Sequence, residues 1–541
     1  MSLNIHHRLV TFFIVSFFVI FDVNAGSYYV ATTGSDSSGN GSSTSPWKTI
    51  GKGINGLSAG DTLIVKNGTY YDMPNFINTR EHDIPNGTAS NNPTIIRAET
   101  PFGVRIENTG SLNYYDNPLH LGSSKRFIKV DGFIFNIKNT IYPSNNSEIS
   151  GDYNRITRCI FRREGPMDQY GGWMVMGGDN NLVEDSAGVG SSRYGFMIGG
   201  PSSSSQKNIF RRVVGRVDYT DSRQPKATFS VYGNNNTLDV KDHIFQNCIA
   251  VDSQAGPTDL GAANYTWGAW YLPKNATNVT ITGSIALNVE SHLAGFYLKE
   301  LSGNNVTLHN SIAWGIRGPA GHPIALPGFK LNGGSGPSLI DHITVGDSDT
   351  GYDNSNGTGD VLVDSAFINN GAASSNGSGN PWDIINNNAF IDQSHKHGTS
   401  PLDVDSLPTH LIDTSTTASL NSTATDGSHV GATILHAVGV TGTLWGEPGY
   451  DQQTTESLWP WPYEDEIKAV FAETNNSPSG VTPSTNNTRR GFAANVDSFG
   501  KSMTLTRYIW QQLGNAIPEN IYNQVEIPAP SNVNIIKNIQ P

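Results

Sequence analysis

The chain has 541 residues, of which 36% are hydrophobic, 15% are charged and 58 are glycine, and its formal net charge is −13. It is too apolar and aromatic for a disordered chain, and too poor in Leu, Glu and Lys for a helical one. The negative charge argues against a broad nucleic-acid surface, and only two cysteines, Cys159 and Cys248, argue against a disulfide scaffold or a Cys-rich metal site.

Residues 1–25 read as a secretory signal: His6, His7 and Arg8, then "LVTFFIVSFFVIF", then a small-residue cleavage site ending at Ala25. No later segment is long and apolar enough to span a bilayer. The expectation is a secreted or periplasmic or cell-surface protein, a monomer without membrane contact once the signal is removed. Next, Trp47, Ile50, Ile54 and Leu57 have helical spacing. With "GDTLIVKNGTYYD" they predict an N-terminal cap.

Internal repeats dominate the middle of the chain. A small residue, an aromatic, a variable residue and an apolar residue recur as "GWMV", "GFMI", "TFSV", "AWYL", "GFYL" and "GFKL", then the weaker "GYDN". The aromatics are Trp173, Phe196, Phe229, Trp270, Phe296, Phe329 and Tyr352. Each is followed by short alternating runs such as "HIFQNCIAV", "NVTITGSIAL" and "NVTLHNSIAW", a strand signal. Two or three strands per repeat describe one coil of a parallel β-helix, with coils stacked about 4.8 Å apart. Like residues then pile on like, giving an aromatic stack inside and an Asn and Ser ladder at a turn.

Cys159 and Cys248 fall at one coil position, separated by repeats carrying Ser186 and Val213. Three coil steps are roughly 14 Å, too far for a disulfide, so both are expected free and buried.

After about residue 400 the ladder fades. "SLWPWPYEDEIKAVF" and "SMTLTRYIWQQLG" predict a Trp/Pro loop and an amphipathic helix closed by Gly514 and Pro518. The expected organisation is signal 1–25, parallel β-helix with cap 26–400, C-terminal cover 401–525 and tail 526–541. Trp459 and Trp461 are read as a plug against the coil end.

With these motifs, the chain resembles the secreted right-handed parallel β-helix proteins of the pectate lyase superfamily, beginning with "YYVATTGSDSSGNGSSTSPWKTIGKGINGLSAGDTLIVKNGTYYD". A narrower likeness, "GFKLNGG" followed by "GYDNSN" and "FINNG", is similar to family-9 polysaccharide lyases. That resemblance implies that Lys330 is a catalytic base. It also implies a calcium site built from Asp residues in the preceding coils. Here those coils read "SHLAGFYLKE" and "NSIAWGIRGPAGHPIAL", without an Asp cluster.

If Phe329 points inward, strand alternation turns Lys330 outward. The same position in successive coils holds Ser230, Tyr271, Tyr297, Lys330 and Asp353, and two residues on come Tyr232, Pro273, Lys299, Asn332 and Ser355. A slip of one residue would invert these faces.

A face of Tyr, Lys and Asp suits an acidic sugar polymer. In β-elimination a base removes the proton beside the carboxylate, a cation steadies the charge that develops, and an acid protonates the leaving oxygen. Lys330 is the candidate base, Lys299 a neighbouring cation that could lower its pKa, and Tyr297 or Tyr271 a candidate acid. Tyr232, Tyr271, Arg216, His292 and His322 are candidate substrate-binding residues. Arg216 comes from the polar stretch "RVDYTDSRQPKATFSVYG", where internal ion pairing is the alternative. "DSDTGYDNSNGTGD" offers Asp347, Asp349 and Asp353 as calcium ligands, although Thr358 stands where an EF-hand needs Glu. The reading is a secreted polysaccharide lyase acting on a uronic-acid-containing polysaccharide. A C5 epimerase, a glycoside hydrolase and a non-catalytic glycan-binding protein are the alternatives.

Overall fold

The computed structural model describes residues 25–113, 115–138, 145–164, 171–200, 204–218, 226–233, 239–254, 268–272, 276–300, 305–318, 325–332, 337–355, 359–374, 384–391, 401–403, 420–473, 491–493 and 502–513. Apart from Ala25, the expected signal segment lies outside the described residues, as do Gly514, Pro518 and the tail. No helix among the described residues is long and apolar enough to cross a membrane.

The chain winds as a parallel β-helix. Most coils contribute one strand to an 11-stranded sheet and two to a 24-stranded one, the two merging into a single strand at Leu182–Gly190 and Ile209–Val217, and every pairing along the coil is parallel. Phe229, Trp270, Phe296, Phe329 and Tyr352 occupy one register position in successive strands of the smaller sheet. Their rings form the inner column: Phe229 and Trp270 lie 4.7 Å apart, Trp270 and Phe296 4.6 Å, and Phe329 and Tyr352 5.7 Å. Such stacked pairs add about 0.5–1.5 kcal/mol each beyond simple burial.

Trp173 departs from the expected ladder. Met174, not Trp173, is aligned with Phe196, and the indole meets Phe196 edge-on at 5.4 Å. The indole occupies the room left by Gly188 and Gly195, where a Cβ would come within 2.2 and 2.5 Å of it.

Turns repeat as faithfully as strands. At the corner between the second and third strand positions of successive coils one residue adopts positive φ: Arg158, Asp185, Arg212, Asn247, Gly283, Asn310, His342, Asp364 and Asn387, with Asp185 and Arg212 bending strands that run on through the corner. The residue after it is buried and often polar. Ser186, Ser284 and Ser311 accept a backbone N–H from the coil before, as does the Asn388 side chain. Asn154, Asn181 and Asn208 form a second ladder. These are the expected Asn and Ser ladders, and they satisfy buried backbone donors that the turns would otherwise strand. Cys159 and Cys248 lie at the Ser position, buried and free.

The N-terminal cap is the predicted one: a helix Ile50–Ile54, N-capped by the Thr49 side chain, with Trp47, Ile50 and Ile54 in the core and Leu57 against it.

Trp459 and Trp461 do not form an end plug. Trp459 and Trp461 are buried along the flank of the coil, against an outward aliphatic row that includes Ile160, Val214, Ile249, Ile285 and Ile312. The row runs through many coils and would be a long sticky face in water, so the cover follows it lengthwise. Helices Glu464–Phe471 and Leu505–Leu513 belong to this layer.

Before reaching it, the chain returns as a strap along the turn ladder, gripped coil by coil. Asn387 donates to the Thr423 carbonyl and Asp364 accepts from Thr425 N. Asn310 bonds both backbone groups of Thr433, and Asn247 accepts from Val438 N. Arg211, fully buried, donates to Glu184, Gln246 and the carbonyls of Val440, Thr443 and Tyr450. Removing one member of a buried ion pair costs about 3–5 kcal/mol. Arg211→Met should therefore lower stability by about 3 kcal/mol and release the strap to protease. Urea unfolding and limited proteolysis measure both, and an unchanged midpoint contradicts the anchoring role.

Candidate functional site

The face next to the aromatic column is the expected one. Ser230, Tyr271, Tyr297, Lys330 and Asp353 are in register on adjacent strands. Alternation about the inward rings puts their side chains on the outer side of the smaller sheet.

Lys330 Nζ lies 2.6 Å from Asp353 Oδ2, an ion pair across one coil step. The second oxygen of Asp353 accepts from Ser355 Oγ at 2.7 Å. The Lys330 side chain keeps 20% of its exposure and that of Asp353 9%. Toward the preceding coils, Tyr271 stacks on Tyr297 at 5.7 Å and Tyr194 on Tyr271 at 6.4 Å. Tyr232 lies beside Tyr194 at 5.7 Å, and the Arg193 guanidinium sits 5.3 Å over the Tyr194 ring. Asn332 Nδ2 donates to the Tyr297 hydroxyl at 3.1 Å and so orients it. Tyr271 and Tyr297 are 3% and 2% exposed, packed with Ala227 and Ala294. Among Tyr271, Tyr297, Lys330 and Asp353, Lys330 is the one that solvent reaches most.

Lys299 departs from the expected alignment. The register shifts between Tyr297 and Lys299, so Lys299 pairs with Leu331, and Asn332 pairs with Glu300. A bulge of this kind adds one residue to one strand and breaks the period of two. The Lys299 side chain lies outside the described residues, as does His322.

Arg216 belongs to another face. It is fully buried, paired with Asp218 at 3.0 Å, and donates to the Phe471 carbonyl of the cover. This is the internal ion pairing that the polar stretch left open, here tying coil to cover. His292 is buried in the connection ahead of the Phe296 strand.

The three aspartates do not converge. Asp347 pairs with Arg317 at 2.7 Å, Asp349 accepts from Leu326 N at 3.1 Å, and Asp353 is held by Lys330. Calcium requires six to eight oxygen ligands around one point. Among the described residues these carboxylates do not make such a set, and they are absent from the one convergent group of potential metal ligands.

Tyr194, Asn332 and Ser355 also take part in this face. Tyr194 immediately precedes "GFMI", and Ser355 follows "GYDN", so both were legible as flanks of the repeat.

No family model matches the chain, and no curated protein matches it. Solved structures do. A PL6-family alginate lyase, AlyGC, matches at 13% identity and TM-score 0.45, over 65% of this chain and 52% of that one. The chain thus spans about half the length of that relative. Pectate lyase Pel9A matches at 14% identity and TM-score 0.41, over 73% of this chain and 85% of that one. The A-module of mannuronan C-5 epimerase AlgE6 from Azotobacter vinelandii matches at 10% identity and TM-score 0.40, over 64% and 91%. These are likenesses of fold. The structural neighbours are polysaccharide lyases and a C-5 epimerase, all unlike this chain in sequence.

The small residue of each aromatic motif has a steric reason. A Cβ on Gly295 would lie 2.6 Å from the Gly328 carbonyl, and one on Gly328 would lie 2.3 Å from Val345 and 3.0 Å from the Gly351 carbonyl. Overpacking of this kind costs about 1–3 kcal/mol. Gly328→Ala should lower the unfolding midpoint accordingly and displace the strand that carries Lys330. A variant as stable as the parent contradicts this packing.

Proposed function

We propose that the chain is a secreted polysaccharide lyase that cleaves a uronic-acid-containing polysaccharide by β-elimination, with Lys330 as the base. The observation that carries this reading is the Lys330 side chain, partly exposed on the outer sheet face, with Tyr297 and Asp353 at the same register in the coils on either side.

The chemistry follows from the substrate. The proton on C5 of a uronate lies beside a carboxylate and is weakly acidic. Its removal delocalises negative charge onto the carboxylate oxygens, where a nearby cation lowers the barrier. The electron pair left on C5 forms a double bond to C4, and the C4–O bond breaks. The departing oxygen takes a proton, for which the Tyr297 hydroxyl, oriented by Asn332, is the candidate donor.

The ion pair sets a condition on this route. Without substrate the amine is engaged with Asp353. A uronate on this face competes with Asp353 for it, and Lys330 must give up a proton before it can accept one from C5. Asp353, steadied by Ser355, is the neighbouring proton acceptor.

The test incubates purified protein with pectate, alginate and glycosaminoglycans and follows the ultraviolet absorbance of the unsaturated product. Loss of a general base costs about 10²–10⁴-fold. Lys330→Ala should therefore reduce turnover by that order, with the fold retained by circular dichroism. New reducing ends without absorbance would instead indicate a hydrolase, and inverted sugar stereochemistry without cleavage an epimerase. Full activity in Lys330→Ala would remove Lys330 from the mechanism.

A further inference from the structure

Away from the Lys330 face, one group of potential metal ligands converges among the described residues: His309, Asp341 and His342. Register builds it. His309 and Asp341 end the second strand of adjacent coils and are aligned, and His342 is the positive-φ turn residue that follows.

Both imidazoles reach the same carboxylate oxygen. His309 Nδ1 is 2.9 Å and His342 Nδ1 3.1 Å from Asp341 Oδ2, and the three ligand atoms lie within 4.8 Å of one another. Ligands about 2.0–2.2 Å from a tetrahedral ion sit a little over 3 Å apart, so the spacing suits one. The other oxygen, Asp341 Oδ1, is buried with no hydrogen-bond partner among the described residues. The His309 side chain is 44% exposed, which leaves a path for an ion and its water.

The strap holds the Nε2 side of His342. Ser428 Oγ donates to Asp426 Oδ1 at 2.6 Å, so it accepts from His342 Nε2 at 2.9 Å. A neutral His342 with its proton on Nε2 turns the bare Nδ1 lone pair toward the Asp341 carboxylate. Either a second ring proton or a metal ion meets the two facing lone pairs, and the Nδ1 atom of His309 on the same oxygen supplies a further ligand for the ion. A carboxylate or hydroxyl behind a ligating histidine is also the usual way in which a metal-binding ring is oriented.

We propose that His309, Asp341 and His342 bind a divalent transition ion of the zinc class, with water completing its shell, and that Ser428 and Asp426 thereby tie the strap to the coil. Two nitrogen donors and one carboxylate favour such an ion over calcium or magnesium, which take oxygen. The site is separate from the Lys330 face and does not depend on the lyase reading.

The full chain, stripped with chelator, is titrated with Zn²⁺ by calorimetry and with Co²⁺ by visible absorbance, and Tm is followed with and without zinc. One ion per chain, a tetrahedral Co²⁺ spectrum and a zinc-dependent rise in Tm are expected. His309→Ala, at a half-exposed position, should keep the metal-free Tm and lose the rise. Asp341→Asn should lose it too. No binding by the parent chain would overturn the site and leave a second proton on His342 as the cation. So would binding unchanged in both variants, which would place the ion on other histidines.

Discussion

The constraint on which the rest depends is the fixed register of one coil on the next. Parallel strands about 4.8 Å apart repeat every feature of a coil directly above itself. A ring that fills the interior is then met by another ring, as Trp270 is by Phe296. A turn that leaves a backbone N–H unpaired meets a side chain that accepts it, as Cys248 N meets Ser284 Oγ. The same rule lines up the outward residues, so Tyr297, Lys330 and Asp353 become neighbours although 33 and 23 residues separate them in sequence.

The three sides of the coil carry different work. The inner column holds the solenoid together. The aliphatic row on the third strands and the positive-φ turns hold the C-terminal segment: Ile249 and Ile285 bury against the cover, and Asn247 and Asn310 grip the strap through its backbone. The outer face of the smaller sheet is given instead to Tyr, Lys and Asp. Stability and the proposed chemistry thus rest on separate surfaces, and Arg216, a substrate-binding candidate by sequence, belongs to the former.

Legibility in the sequence follows the same division. From Phe196 onward the aromatic motif has one residue per coil at one position, so the fold, the inward column and the outward rank of Lys330 and Asp353 could be read from spacing. The free cysteines were legible for that reason. Three things were not. The shift after Tyr297 comes from one strand carrying an extra residue, and composition does not mark it. The path of the cover depends on triplets such as "IAL" and "IAW", apolar on both faces, which look like ordinary buried strands until both sides are counted. The His309, Asp341 and His342 group joins two coils to the strap, and its members were visible only as polar ends of strands.

The most direct measurement of the central claim is a crystal structure of the Lys330→Ala protein with an oligouronate bound. The account predicts a sugar lying across the outer face between Tyr297 and Asp353, its C5–H turned toward the place vacated by the amine and its leaving oxygen toward the Tyr297 hydroxyl. An oligouronate held on any other surface, or one that lies on this face with C5 turned to solvent, contradicts it.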